Sequence, residues 1–190
     1  MGREFELKYG ATPEILEKIQ EKYGNFTKIS METTYYDTPA LDLRQRRWTL
    51  RRRMENGRSV CTVKIPLSDG SRGEWEVEST DLTAGTVQLC ALGAPEEILN
   101  YVNQGVVPFC GARFTRLAKT IALPGGSVEL ALDQGVLLGG GKELPFAEVE
   151  VELKSGRDDT ALAFAEALAG EFALNPQPKS KLARAMALAD

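Results

Sequence analysis

The sequence predicts an α+β protein, a closed antiparallel β-barrel with its charges turned inward and its helices packed outside. Three observations lead there. Strand after strand carries apolar residues at one phase and ionic residues at the other, beginning with Glu4, Glu6 and Lys8 against Phe5, Leu7 and Tyr9, because successive strand side chains point to opposite faces. The polar faces are almost purely ionic, with few of the Ser, Thr and Gln residues of an ordinary wet sheet. Several amphipathic helices are at hand to shield the apolar face, and closure of the sheet would remove its exposed edges.

The elements follow in order. Residues 2–9 read as a strand. Thr12-Pro13-Glu14 supplies a cap, a first-turn proline and an acidic first turn, so a helix runs to Tyr23 and stops at Gly24. Phe26 to Asp37 is a strand, ended by Pro39, and a short helix covers 40–45. Trp48–Met54 and Ser59–Ile65 are strands joined by Glu55-Asn56-Gly57-Arg58, a strong hairpin signal. Arg72–Ser79 is a further strand. Residues 83–104 form two short helices separated by Gly93-Ala94-Pro95. Strands near 112–123, 127–137 and 146–154 follow, with Gly125-Gly126 and Gly139-Gly140-Gly141 in their turns. A helix over 159–171, a proline-broken loop and a helix from Lys179 complete the chain. No linker or low-complexity segment interrupts it, and 190 residues suit a single domain spanning 1–190.

Strand phase sorts the charges. Arg51 and Arg53 oppose Leu50 and Arg52, and Thr62 and Lys64 oppose Cys61, Val63 and Ile65. Arg72, Glu74, Glu76 and Glu78 oppose Trp75 and Val77, while Glu129 and Asp133 oppose Val128, Leu130 and Leu132. Glu148, Glu150, Glu152 and Lys154 oppose Val149, Val151 and Leu153. Each strand alone could be the wet face of a sheet. Gathered inside one barrel, such like charges need counter-ions. Metal ions would neutralise the Glu strands, and a polyphosphate the Arg and Lys strands.

Composition narrows the chemistry. The net charge of −4 argues against a general nucleic-acid binder. No histidine is present, which removes the Ser-His-Asp triad, the Cys-His pair and His-ligated zinc. Any metal must be held by carboxylates, which select hard cations. Cys61, Cys90 and Cys110 form no metal pattern and point to a reduced, cytoplasmic protein, with Cys61 a small core residue. The charged N-terminus does not read as a signal peptide, Glu6 stands where a myristoylation motif needs Ser or Thr, and no stretch approaches the ~18 apolar residues of a membrane span.

Glu4-x-Glu6-x-Lys8 resembles the signature of the CYTH superfamily, the triphosphate tunnel metalloenzymes. Further elements match in the family's order: Tyr36-Asp37-Thr38, Leu50-Arg51-Arg52-Arg53, Thr62-Val63-Lys64, Arg72-x-Glu74-x-Glu76, Ala131-Leu132-Asp133, Glu148-x-Glu150-x-Glu152, and Ser180-Lys181 with Arg184. The resemblance implies an eight-stranded antiparallel tunnel acting on triphosphates with a divalent metal, Mg2+ or Mn2+. Phe114–Arg116 and Val128–Gly135 look most like bacterial inorganic triphosphatases. Many of those carry a further helical domain after the tunnel; its absence before Asp190 argues against long polyphosphate as substrate.

Within that frame charge assigns roles. Glu4, Glu6, Glu150 and Glu152 are expected to hold metal, with Asp133 and Glu148 as further candidates. Lys8, Arg51, Arg53, Lys64, Arg72, Arg116 and Lys181 are expected to bind phosphate oxygens, and Arg113 and Lys119 are additional candidates. Glu4, Glu6 and Lys8 form the expected catalytic group. Glu74 and Glu76 either join the metal ligands or pair with basic neighbours, and Tyr36 is expected in the core. Three activities fit: hydrolysis of tripolyphosphate, an adenylate cyclase (or another triphosphatase) of the same family, and a polyphosphate-binding module without turnover. The expected partner is a small polyanion rather than nucleic acid or a membrane. The oligomeric state stays open, a homodimer included.

Overall fold

The computed structural model of the chain describes residues 5–67 and 72–189. Its centre is one strongly curled antiparallel sheet with the strand order β5-β4-β3-β2-β6-β7-β8-β1-β9. The strands are β1 (Glu6–Gly10), β2 (Thr27–Asp37), β3 (Thr49–Glu55), β4 (Arg58–Pro66), β5 (Arg72–Glu78), β6 (Val107–Leu123), β7 (Gly126–Gly139), β8 (Lys142–Ser155) and β9 (Asn175–Pro176). The helices are α1 (Pro13–Tyr23), α2 (Asp42–Gln45), α3 (Leu82–Ala91), α4 (Glu97–Gln104), α5 (Asp158–Phe172) and α6 (Lys181–Ala189). None of the described helices is long and apolar enough to cross a membrane.

Local signals act as expected. Thr12 caps α1 through its Oγ1, which accepts from Ile15 N–H at 3.4 Å. The β3–β4 hairpin turns at Asn56 and Gly57, both at positive φ (50° and 86°), as a two-residue hairpin requires. The strands β6, β7 and β8 run past the predicted ends, because polar residues and prolines such as Pro108 and Pro145 mask a ladder that pairing sustains.

The outer face of the sheet is apolar and covered by helices, as predicted. Val128, Leu130, Leu132, Val149 and Val151 pack against Leu16 and Ile19 of α1 and Ala161, Ala165 and Leu168 of α5. At the other end of the sheet, Leu50, Cys61, Val63 and Trp75 pack against Leu89 of α3 and Ile98 of α4. Cys61 is fully buried there.

Two features differ from the expected barrel. Among the described residues the sheet has nine strands and does not close into an eight-stranded tunnel. The C-terminal end of β1 pairs with the short β9, through Tyr9↔Pro176 and Gly10↔Asn175, and not with β5. Both free margins also turn carboxylates inward, Glu74 and Glu76 on β5 and Glu6 on β1, lining the same cavity. Zipping these margins together would set like charges side by side. The second difference is α6. Its Ala185 packs with Met31, Phe114, Leu137 and Phe146, which share strand phase with the inward charges. This helix therefore plugs one end of the concave face, while α1, α3, α4 and α5 lie outside.

Candidate functional site

The concave face encloses a cavity of about 650 Å³. Lining it are Glu6 and Lys8 of β1, Arg51 and Arg53 of β3, Lys64 of β4, Arg116 of β6, Glu150 and Glu152 of β8, and Lys181 at the start of α6. Strand phase alone thus gathered most of the expected site. Glu4 lies outside the described residues.

Register converts this gathering into rows. Glu129 of β7 pairs with Glu152 of β8, which pairs with Glu6 of β1. Cross-strand neighbours of this kind sit roughly 5 Å apart, so three carboxylates stand side by side on one wall. One row deeper, Glu150 lies beside Lys8. Deeper still, Asp133 pairs with Glu148. The first row is lightly compensated: Lys154 approaches Glu152 at 2.9 Å and Glu129 at 3.9 Å, and Lys8 approaches Glu6 at 3.7 Å.

The deep acidic group has a different character. One carboxylate oxygen from each of Asp133, Glu148 and Glu150 falls within 4.8 Å of the others, a spacing that could hold a cation. Protein cations already take those oxygens. Arg116 grips Asp133 through two bonds of 2.8 and 2.7 Å and also bonds Glu150. Lys181 reaches Asp133 and Glu150, each at 2.7 Å, and contacts Glu148. Arg184 bonds Glu148. Asp133, expected as a metal ligand, belongs to that group and is here paired with Arg116 and Lys181. Burial alone would lower the pKa of Lys181, yet Asp133, Glu150 and Glu148 hold it above its usual range. Burial would raise Glu150, but Lys181 and Arg116 hold it below the usual carboxylate range. For Glu148 burial wins and its carboxyl is pushed up.

The opposite wall is basic. Arg51 lies 3.7 Å from Glu74, and Lys64 lies 3.1 Å from the same residue. Arg53 pairs with Glu55 and, at 3.7 Å, with Glu76. Glu74 and Glu76 therefore pair with basic neighbours, one of the two roles open to them. Burial, reinforced by Arg51, lowers the Arg53 pKa. The buried Nε atoms of Arg51 and Arg53 have no hydrogen-bond partner. Buried donors left in this state cost free energy that an acceptor ligand would recover.

Other expectations shift. Arg72 has the predicted phase but sits at the strand end opposite Pro66, past the cavity, and donates to Thr49 Oγ1 at 3.3 Å. Arg113 points outward to Glu143. Lys119 donates to the carbonyls of Tyr23 and Gly24, where α1 ends, and so serves the helix terminus. Tyr36 packs at the edge of a core cluster. Sequence reasoning gave no role to Glu55, which shares phase with Arg51 and Arg53 but falls in the predicted turn, nor to Glu129, Lys154 and Arg184. Phase was a usable signal for the first three.

Comparison with known proteins agrees with this architecture. The CYTH domain family pattern matches residues 2–186. The chain is 29% identical over 178 residues to an inorganic triphosphatase of Haemophilus influenzae, an alignment covering 88% of this chain and 50% of that protein. The chain thus spans about half the length of this curated relative. Among solved structures, a candidate adenylyl cyclase from Hippeastrum, whose structure revealed a dominant triphosphatase activity, superposes with a TM-score of 0.68 at 19% identity, covering 96% of this chain and 94% of the other. A candidate adenylate cyclase from Bacillus halodurans gives 0.67 at 19% identity over 95% and 96%. The full-length pattern match, the shared fold and the inward charge rows lead to one assignment: this chain belongs to the CYTH domain family.

Proposed function

We propose that the chain is a metal-dependent hydrolase of inorganic triphosphate. What carries this reading is a single cavity with an acidic row, Glu129–Glu152–Glu6, on one wall and the unpartnered buried N–H groups of Arg51 and Arg53 among its lining residues. Such a cavity suits an anion and its counter-cation together. The activity named for the Haemophilus influenzae relative supports the same substrate.

The donor set fits a hard divalent ion. On the acidic wall the ligands on offer are carboxylates, from Glu6, Glu129 and Glu152 and from Glu150, whose oxygens Arg116 and Lys181 also contact, with neither His nor Cys among the described lining residues. These four residues would hold Mg2+ or Mn2+. Such an ion supplies Lewis acidity and neutralises charge on phosphoryl oxygens. Arg51, Arg53 and Lys64 bind the phosphate chain from the opposite wall, Arg116 and Lys181 close the deep end, and Lys8 beside Glu6 contacts the terminal phosphoryl group. The residues thereby align that group for attack by water, which releases orthophosphate and leaves pyrophosphate. Asp133 holds Arg116 and Lys181 in place.

Solved neighbours at this identity speak for the fold alone, so cyclase and hydrolase chemistry are separated by product. Incubation of the protein with tripolyphosphate, ATP and thiamine triphosphate, each with Mg2+ or Mn2+, should release orthophosphate fastest from tripolyphosphate and stop on chelation. Conversion of ATP to pyrophosphate and a cyclic nucleotide would replace this reading with the cyclase. Binding without turnover of any of the three would replace it with a binding module.

A further inference from the structure

Two lysines that line the main cavity face carboxylates, and they are held very differently. Lys181 has a side chain only 11% exposed. It touches Asp133, Glu148 and Glu150, and its Nζ lies 5.0 and 5.6 Å from the ring centres of Phe114 and Phe146. It is built into the deep acidic group. The Lys154 side chain is 38% exposed, and its Nζ stands on the acidic row, 2.9 Å from Glu152 and 3.9 Å from Glu129. The backbone beneath it is irregular. Val128 pairs with Leu153 and Ser127 with Ser155, so the β7–β8 ladder skips Lys154. Lys154 is thus the extra residue of a β-bulge, a device that re-aims the side chain it carries. Here the ammonium is aimed back along β8 onto two of the three carboxylates of the row.

Like charges side by side on neighbouring strands repel one another. An ammonium set between Glu129 and Glu152 relieves that repulsion in the protein without metal. It does so loosely. Exposed ion pairs hold weakly, and a lysine head on a flexible four-carbon stem regains water at small cost when it leaves. Lys154 Nζ and a divalent ion would need the same carboxylate oxygens, and their charges repel. We propose that Lys154 is a resident counter-ion that holds the metal's place on the Glu129–Glu152 part of the row and swings away when a divalent ion enters. Apparent metal affinity is then lowered by the fraction of molecules in which the lysine holds the row. Lys154 thereby sets the concentration of divalent ion at which the site loads. The inference rests on the acidic row being the metal site, and deepens that reading from the ligands to what governs their filling.

Metal binding without substrate tests it. Calorimetric titration of the whole chain with Mg2+ alone, at constant ionic strength, should show Lys154→Met binding about three- to tenfold more tightly than the unmutated protein. Lys154→Arg keeps a cation on the row and should stay within about twofold of the unmutated protein. Displacement itself is read by acetylating lysines with and without Mg2+ and measuring Lys154 by peptide mass spectrometry. Its labelling should rise at least about twofold with the ion, while Lys22, paired with Glu171 on the outer helices, stays constant. Unchanged or weaker Mg2+ binding in Lys154→Met would overturn the proposal. So would tighter binding with no change in Lys154 labelling, which would mean repulsion at a distance and not displacement. Absence of Mg2+ binding in all three proteins would overturn the metal site together with this role. Both expected results with no phosphate release from tripolyphosphate would support the counter-ion and sink only the proposed hydrolysis.

Discussion

Glu6 and Arg53 face the same cavity with opposite duties, and their variants should separate those duties. Glu6→Gln keeps size and removes one charge from the Glu129–Glu152–Glu6 row. Its turnover should fall by on the order of a hundredfold at low magnesium and recover in part as magnesium is raised. Arg53→Ala removes a phosphate contact and should lower turnover similarly without any rescue by metal. Magnesium titrations of phosphate release check this, and identical curves for the two variants would mean that the walls are misassigned. Asp133 offers a contrasting case, since it is fully buried and held by Arg116 and Lys181. Asp133→Asn should lower stability by on the order of 2 kcal/mol, because two buried cations lose a shared counter-ion. Urea unfolding in the presence of chelator measures it. An unchanged midpoint would show that Glu148 and Glu150 carry those cations alone.

At the scale of elements, α6 is the piece whose position matters most, because it delivers Lys181 and Arg184 to the deep acidic group. Gly139 permits its seat: a Cβ there would lie 2.3 Å from the Ala185 carbonyl oxygen and 3.1 Å from Leu188 Cβ. Backbone cannot yield cheaply at such a contact. Gly139→Ala should therefore lift α6, cost about 1–3 kcal/mol, raise KM for substrate and speed amide exchange across 181–189. Gly170→Ala in α5 is the matched control, since nothing lies within 4 Å of its added Cβ and a helical Gly→Ala change should gain up to about 1 kcal/mol. Exchange in α6 that does not respond to Gly139→Ala would dissociate the helix from that glycine. The amphipathic α1 and the Asn56-Gly57 hairpin were plain in the sequence because capping and turn chemistry are local. The inward placement of α6 was not, since periodicity says which face of a helix is buried and nothing about which side of a sheet will bury it. Nor was β9, whose two residues carry a proline and gain their strand character only by pairing with Tyr9 and Gly10.

For the molecule as a whole, alternation along single strands foretold a charged interior and grouped Glu6, Lys8, Arg51, Arg53, Lys64, Glu150 and Glu152 correctly. It could not foretell how the charges would divide into heavily and lightly neutralised sets. That division depends on register, which set Glu129 beside Glu152 and Glu6, and on the long-range arrival of Lys181 and Arg184. It also could not foretell the open sheet, in which both margins turn carboxylates toward the same cavity. These features make one prediction about coupling. A divalent ion alone would relieve the acidic row but leave Arg51 and Arg53 with unpartnered donors. A triphosphate alone would satisfy those donors but face the carboxylates across the cavity. Each ligand thus removes the penalty the other meets, and their binding free energies should reinforce one another. Calorimetric unfolding with chelator, with Mg2+ alone, with imidotriphosphate in chelator, and with both should give a Tm rise for the pair greater than the sum of the separate rises. The excess should shrink as salt is raised to about 1 M, where exposed charges are screened within roughly 3 Å. It should also shrink in Glu152→Gln, which breaks the acidic row at its centre. Strictly additive shifts, unchanged in that variant, would show that the two walls bind their ions independently and that the open margins of the sheet do not sense the contents of the cavity.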